Sequence, residues 1–229
     1  PDTALNIRSV AHFMNVTHET IVKARRDPVK FPPPPSALYV STAAMQNVMM
    51  TGNFNVSGFN HDKNGTLVST TNNTVPGIVV DNNADSIAIV DVLKANNITG
   101  KGGGTPNVAV LPQGIDWAGV SNDIAFSADI TVGSGKYNTG TFGTYAAPKI
   151  TLVNGDVEFN GNLSGSGILV VNGDLTIAGT FDFKGLIIAY KEAAITTKLN
   201  GTGTVIGSLI VSGNSVDMDI SNGTFEALY

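Results

Sequence analysis

A tandem repeat with a period of about twenty residues fills the last third of the chain and constrains its fold most. The segments 150–167 and 168–185 align without a gap and are identical at seven of their eighteen positions. The segments 186–207 and 208–229 continue the pattern, since each opens with an aliphatic run and contains an Asn-Gly or Ser-Gly turn. Self-similarity at so short a period is typical of solenoids, in which each repeat buries its apolar side against its neighbours.

The length of the period indicates which kind of solenoid to expect. A strand–helix–strand unit needs about 30 residues, whereas repeats of 18 to 22 residues fit a coil of two or three short strands. We therefore predict an all-β fold, a single-stranded right-handed parallel β-helix with one or two short helices in insertions. If the last coil, 208–229, is exposed, its strand edge would favour end-to-end stacking of chains.

Two regions of the chain differ in composition. Residues 1–35 end in the run of four prolines at 32–35 and are predicted to form an N-terminal extension or linker with a strand over 16–24. Residues 36–229 are predicted to form the β-helix domain. Because the chain begins with Pro1 rather than Met, we expect that a signal or membrane anchor preceded it and has been removed.

Two stretches inside the β-helix domain favour helices. Residues 83–96 place aliphatic side chains three and four positions apart, and Asn83 or Asp85 is the expected N-cap. Residues 115–128 repeat this spacing and predict a second helix.

Two polar stretches favour loops. Residues 60–74 are predicted to project from one corner of the coil. Residues 133–146 are predicted to form a second loop, which is turn-rich over 133–143 and has an edge strand over 141–145 as an alternative, so that the regular coils begin at Lys149. These two loops are the surfaces through which we expect the domain to contact partners.

Composition excludes several classes of function. The formal net charge is −5 and no Lys/Arg stripe is present, so nucleic acid is not an expected partner. The chain has no Cys, which excludes disulfides and thiolate sites. No apolar run approaches the 18 residues or so of a membrane span, and we expect membrane contact only through the preceding segment.

Four polar residues occupy the same place in the four aligned repeats. The seventh position of each segment is Asp156, Asp174, Glu192 or Asn214. Stacked coils would place these side chains in a column about 4.8 Å apart. Two carboxylates at that distance repel, so they must be solvated, bonded to amides or bridged by a cation.

Three interpretations of this column remain open. The first is structural: an Asp that follows Asn-Gly caps the turn through bonds to backbone amides, and we favour it. The second is a calcium site built from carboxylate oxygens, and the third is a catalytic carboxylate pair as in β-helical glycosidases. The last Arg is Arg26 and the last His is His61, and the only cations in the last part of the chain are Lys184, Lys191 and Lys198. The column therefore lacks the Arg that such enzymes generally use, and we predict no catalytic residue and no cofactor.

Two other motifs are weaker. The run 100–105 (GKGGGT) does not meet the G-x-x-x-x-G-K-[ST] spacing of a phosphate loop, because Lys101 is followed by Gly. The three histidines, His12, His18 and His61, are dispersed and lack the spacing of zinc ligands.

Residues 167–188, GILVVNGDLTIAGTFDFKGLII, resemble a passage of the form GILVVxGDLxxxGxFxFxGLIIV that recurs in bacterial exported proteins with a PilX-type pilus-assembly N-terminus. The stretches 35–40, 54–58 and 104–107 and the closing 226–229 are also similar to landmarks of that family, in the same order. The resemblance covers residues 36–229 and lacks the family's pilin-like helix. It implies a protein associated with the cell envelope or a pilus and transfers no catalytic residues.

Together, the repeats and the resemblance predict a non-enzymatic exported module of the cell envelope or of a type IV pilus. Its partners would be envelope or pilus proteins, or surface polysaccharide. The alternatives are a carbohydrate-binding or carbohydrate-active β-helix, for which Asp156 and Asp174 are the candidate pair, and a self-polymerising scaffold of the bactofilin kind.

Overall fold

The computed structural model describes residues 4–14, 16–25, 32–93, 97–111, 115–220 and 223–229. The chain divides into two units, 1–31 and 32–229. The predicted boundary, at 35/36, lies slightly further along the chain.

The first unit is a two-stranded antiparallel ribbon. Its strands are β1 (Ala4–Phe13) and β2 (Val16–Arg25), and they pair from Ala4 with Arg25 to Phe13 with Val16. The predicted strand over 16–24 is therefore confirmed.

The second unit is a parallel β-helix with two short helices. Its elements are β3 (Leu38–Met49), β4 (Asn53–Ser57), β5 (Asn60–His61), β6 (Leu67–Ser69), β7 (Ile78–Val80), α1 (Asn83–Val92), β8 (Ile98–Thr99), β9 (Val108–Val110), α2 (Trp117–Ala125), β10 (Ile130–Phe142), β11 (Lys149–Asn172), β12 (Leu175–Ile177), β13 (Thr180–Leu199), β14 (Thr202–Asp219) and β15 (Thr224–Leu228). Val157 pairs with Leu175 and Leu163 pairs with Phe181, both in parallel and 18 residues apart. The predicted period is thus the period of the coil.

The order of the coils differs from the order of the chain. The coil of β14 and β15 is followed in the sheet by β3 and β4, since Leu209 pairs with Leu38 and Phe225 pairs with Phe54. Beyond β3 lie β7 and then β9. The chain therefore starts its solenoid next to the coil in which it ends. The condition for end-to-end stacking through the last coil is therefore not met, because the edge of that coil is hydrogen-bonded to the first strands of the domain.

The coil has three faces, which we name by what lies on them. The helix-covered face comprises 38–41, 168–171, 186–189 and 208–211. The charged face comprises 157–159, 175–177, 195–199 and 216–219. The threonine face comprises 53–57, 162–166, 180–184, 202–206 and 224–228.

The inward side chains of all three faces form one apolar core. Within it, the ring centroid of Phe159 lies 5.7 Å from that of Phe142 and 5.3 Å from that of Phe181, so aromatic rings stack along the axis as the coils do. Tyr137 lies across the first coil, where its hydroxyl donates to the Gly133 carbonyl oxygen at 2.8 Å. Its half-buried ring thereby covers that end of the core.

The two helices bury the outer side of one face. Val170 and Ile188 point outward but are fully buried, because α2 packs on β11 and β13. Helix α1 packs on β3, β7 and β9. Both helices were predicted, but the N-cap of α1 is Asn82, whose side chain accepts from the Asp85 amide at 2.9 Å, and the expected caps were wrong by one and three residues. Neither helix in the described part of the chain is long and apolar enough to cross a membrane.

Two predicted loops differ from the structure. Residues 60–74 contain the antiparallel pair β5–β6, and the tip at Gly65 folds back onto the threonine face, where a β-carbon would lie 3.1 Å from Leu228 Cδ1. Residues 133–142 belong to β10, which pairs with β11 as a coil of its own. The glycines of this strand led to the prediction of turns. The strand accommodates them through two register shifts in its pairing with β11.

Candidate functional site

Asp156 and Asp174 lie in adjacent coils, at the corner where the helix-covered face turns into the charged face. Val157 pairs with Leu175, which makes the two preceding carboxylates neighbours. The Asp174 amide donates to Asp156 Oδ1 at 2.8 Å, and the Thr196 amide donates to Asp174 Oδ1 at 2.8 Å. Each carboxylate thus bonds to the backbone of the next coil, and we call this arrangement the aspartate staple.

Lys191 supplies the positive charge beside the aspartate staple. Its Nζ lies 3.3 Å from Asp156 Oδ1 and 3.1 Å from Asp174 Oδ2. The Asp174 amide, and to a smaller extent the Lys191 ammonium, lowers the pKa of Asp156. The carboxylate of Asp174, and then that of Asp156, raises the pKa of Lys191. Charge neutralisation and amide bonding together resolve the repulsion expected between adjacent carboxylates.

Glu192 does not join this column. The register offset between the second and third repeats is 18 residues at Ala189 and 22 residues at Thr197, so four extra residues lie at the corner between them. They carry Glu192 away from Asp174, and Thr196 takes its place. The predicted column of four polar side chains is therefore wrong between its second and third members. Glu192 and Asn214 still lie in adjacent coils, because Lys191 pairs with Gly213 and Ala194 pairs with Ser215.

Glu192 and Asn214 instead line a cleft of about 270 Å³ between this corner and the N-terminus of α2. Asp116, which caps α2, lies on the opposite wall. Burial raises the pKa of Tyr190 in the cleft, and the charges of Glu192 and then Asp116 add to the effect. The cleft is therefore polar, and its charged lining residues are Asp116, Glu192 and Lys191.

A second staple joins the coils further along the axis. The Asn47 amide and Asn47 Nδ2 both donate to Asp217 Oδ1 at 3.1 Å. The Asp217 carboxylate therefore connects the last coil of the sequence to β3, just as the Asp156 carboxylate connects its coil to the next one. The sequence alone does not predict this contact, because it does not show which coil lies next to Asp217.

The threonine face carries a regular column of exposed polar side chains. One residue from each of six consecutive coils falls in register, and none of the six is charged. The column is Thr139, Asn162, Thr180, Thr202, Thr224 and Asn53. Sequence reasoning missed it, although the recurrence of Thr or Asn one residue after Gly161, Gly179, Gly201 and Gly223 was a signal that could have found it.

Beside this column, a groove of about 420 Å³ runs along the corner between the charged and threonine faces. Glycines form its floor, and uncharged Asn, Thr and Ala residues form its walls. The lining residues are Asn160, Gly161, Asn162, Ala178, Gly179, Thr180, Asn200, Gly201, Thr202 and Gly223. We call this feature the corner groove.

The glycine-rich loop predicted not to bind phosphate has a structural role. The glycine-rich loop at 100–105 surrounds the buried Asn107, whose Nδ2 donates to the carbonyl oxygens of Lys101 and Gly103 and whose Oδ1 accepts from the Gly77 amide at 2.7 Å. Among the described residues, no group of three or more His, Cys, Asp or Glu side chains could hold a metal ion.

The fold defines the chain as a parallel β-helix protein. No family model matches the sequence, and no match to a curated protein was found. Among solved structures, the chain is similar to an ice-binding protein (LeIBP) from an Arctic yeast, with a TM-score of 0.35 and 10% sequence identity over 85% of this chain and 92% of that chain. Likeness at that level carries no functional argument for this chain.

Proposed function

We propose that the protein is a non-enzymatic exported module of the cell envelope or of a type IV pilus, which acts as a stiff support. The observation that carries the proposal is the aspartate staple. Its carboxylates, the most prominent candidates for chemistry in the sequence, bond to backbone amides and to Lys191 and so connect one coil to the next.

The electrostatics of the staple favour a structural role over glycoside hydrolysis. A glycosidase needs one carboxyl group with a raised pKa that can act as a general acid. The pKa of Asp156 is lowered, and the oxygens of Asp174 are occupied by the Thr196 amide and by Lys191. The resemblance of residues 167–188 to PilX-type proteins supports the envelope and pilus part of the proposal.

Cell fractionation tests this proposal. A tagged full-length protein, expressed in its native host, should be recovered from the envelope fraction and from sheared surface fibres. Recovery in the cytoplasmic fraction alone would overturn the proposal. Hydrolysis of any member of a polysaccharide panel, lost in Asp174→Asn, would overturn its non-enzymatic part.

A second candidate function is binding of a neutral polysaccharide in the corner groove. Its ten lining residues include no charge, and its hydroxyl and amide groups can both donate and accept hydrogen bonds. The same kinds of side chain recur in successive coils along the groove, which matches an extended polymer of identical sugars. The lack of charge in the groove favours a neutral glycan over an acidic one.

Co-sedimentation with insoluble cellulose, chitin and β-1,3-glucan tests this second candidate. The double variant Thr180→Val/Thr202→Val keeps side-chain shape and removes two hydroxyls, so it should weaken binding at least about fivefold. Thr176→Val, on the charged face of the same coil as Thr180, is the matched control and should bind as the wild type does. Equal binding by all three proteins would exclude the groove.

A further inference from the structure

A second row of outward side chains runs beside the corner groove. Outward and inward residues alternate along each strand of the threonine face, so the residue two positions after each member of the column also points outward. Phe181 and Phe225, which lie between the two rows, are each 1% exposed and fit this alternation. The second row comprises, in register across adjacent coils, Ser164, Asp182, Thr204, Glu226 and Asn55.

Two carboxylates alternate with a hydroxyl in the second row. Asp182 pairs with Thr204, and Thr204 pairs with Glu226, so the carboxylates lie two coils apart, or about 10 Å along the axis. Within the described part of the chain, no hydrogen bond or ion pair occupies either carboxylate. Both can therefore accept hydrogen bonds from a ligand in the corner groove.

The loop between β5 and β6 bounds this surface on the side away from the groove. Its tip at Gly65 lies against Leu228, which is two residues beyond Glu226. A hollow of about 270 Å³ separates the loop from the second row. Around Glu226 the open strip is therefore two rows wide and runs parallel to the axis, as a linear polymer requires.

The spacing along the axis indicates how the sugars of such a polymer are linked. A β-1,4-linked glucan is extended, and each sugar lengthens it by close to one coil spacing, about 4.8 Å. Neighbouring sugars face opposite ways, so the edge with the C2 and C3 hydroxyls points to the same side only at every second sugar. A chain in the corner groove would therefore present this edge to the second row once every two coils. That is the spacing of Asp182 and Glu226.

We propose that the corner groove binds β-1,4-linked glucan chains, and that Asp182 and Glu226 select this linkage. Each carboxylate has two oxygens, which accept from the two neighbouring hydroxyls of one sugar. A β-1,3-linked or α-1,4-linked glucan coils instead of alternating, so it brings such a pair of hydroxyls to one carboxylate at most. The inference rests on the second candidate function, binding of a neutral polysaccharide in this groove, and adds the linkage and the residues that recognise it.

Isothermal titration calorimetry of the full chain with cellohexaose, which is β-1,4-linked, tests the linkage. Laminarihexaose (β-1,3-linked) and maltohexaose (α-1,4-linked) should bind at least about tenfold more weakly. Asp182→Ala/Glu226→Ala should weaken cellohexaose binding at least about tenfold and remove its advantage over laminarihexaose. Asp123→Ala/Glu158→Ala removes two carboxylates from other faces, so it is the matched control and should bind within about twofold of the wild type.

Chain length provides a second readout. Because the two carboxylates lie two coils apart, a glucan needs at least three sugars in line to reach both. Cellotetraose should bind at least about tenfold more tightly than cellobiose, and in Glu226→Ala this advantage should fall below about threefold.

The outcomes separate this inference from the function on which it rests. Equal binding of cellohexaose and laminarihexaose by the wild type, or an advantage of cellotetraose that Glu226→Ala leaves unchanged, would overturn the inference and leave the second candidate function in place. Absence of binding to every glucan, here and in the co-sedimentation panel, would overturn both.

Discussion

At the scale of single residues, substitutions in the aspartate staple can measure two contributions to stability separately. One is the hydrogen bond that a side-chain oxygen accepts, and the other is the ionic attraction to Lys191. Asp174→Ala removes the oxygen that accepts from the Thr196 amide, so the free energy of unfolding should fall by about 1–2 kcal/mol. Asp174→Asn keeps an acceptor and loses only the attraction to Lys191, so it should cost less than 1 kcal/mol or so. Urea denaturation measures both values, and equal costs would contradict this account.

The pH dependence of stability tests the charges of the same staple. The pKa of Asp156 is lowered in the folded chain, so its contribution is present above its ordinary value of 3.8 and is lost as the pH falls through the folded value. The pKa of Lys191 is raised, so its contribution is present below 10.5 and is lost as the pH rises through the folded value.

The stability difference between the wild type and Lys191→Met should therefore be constant, at about 1 kcal/mol, from about pH 5 to about pH 9. It should shrink toward zero as the pH falls through the lowered pKa of Asp156. Lys136→Met, which breaks the exposed pair with Glu158, is the control and should cost less than about 0.5 kcal/mol throughout. An undiminished Lys191→Met difference at acid pH would show that lost packing, not charge, causes it.

At the scale of elements, the sequence predicts what repeats and fails where a repeat is interrupted. The pairing of Val157 with Leu175 follows from two gap-free segments of equal length. The position of Glu192 does not follow from the repeat length. Four residues are added at the corner of the third repeat, and counting from the start of that repeat cannot locate them. The strand at 133–142 was missed for a related reason: glycines that read as turns are accommodated by bulges in an edge strand.

The glycines on the floor of the corner groove should be intolerant of any side chain. A β-carbon at Gly201 would lie 2.1 Å from the Gly179 carbonyl oxygen of the preceding coil. Gly201→Ala must therefore separate the two coils and should cost more than about 3 kcal/mol or prevent folding.

Gly133 provides the control for this prediction. No atom lies within 4 Å of a β-carbon built at this residue, and its φ is outside the left-handed region. Gly133→Ala should change the unfolding free energy by less than about 0.5 kcal/mol. Chemical denaturation monitored by circular dichroism compares the two variants, and similar costs would mean that the close approach of the coils is not what requires glycine.

At the scale of the whole molecule, the chain covers a strand edge of its own solenoid, that of the coil in which the sequence ends. Strand β3 lies between β14 and β7, so the coil that ends the sequence is covered by the strands that begin the domain. The local sequence does not predict the pairing of β3 with β14. The segment 38–57 lacks the repeated Asn-Gly-Asp turn, and any coil could accept it as a neighbour. The packing of the whole solenoid determines which coil β3 pairs with, and a single sequence does not show that packing.

The covered edge of the last coil argues against the alternative function of a self-polymerising scaffold. One end of the solenoid is β10, which has one sheet neighbour, β11, within the described ranges. At the other end, β8 and β9 also have one sheet neighbour each there, and helix α1 packs on β9. Two register shifts interrupt β10 and Lys136 lies on it, features that prevent an edge from pairing with another chain. Sedimentation velocity and negative-stain microscopy should therefore show no filaments of the wild-type chain that form through β10. Lys136→Val should increase association through β10, whereas filaments of the wild type would mean that this edge is a polymerisation surface.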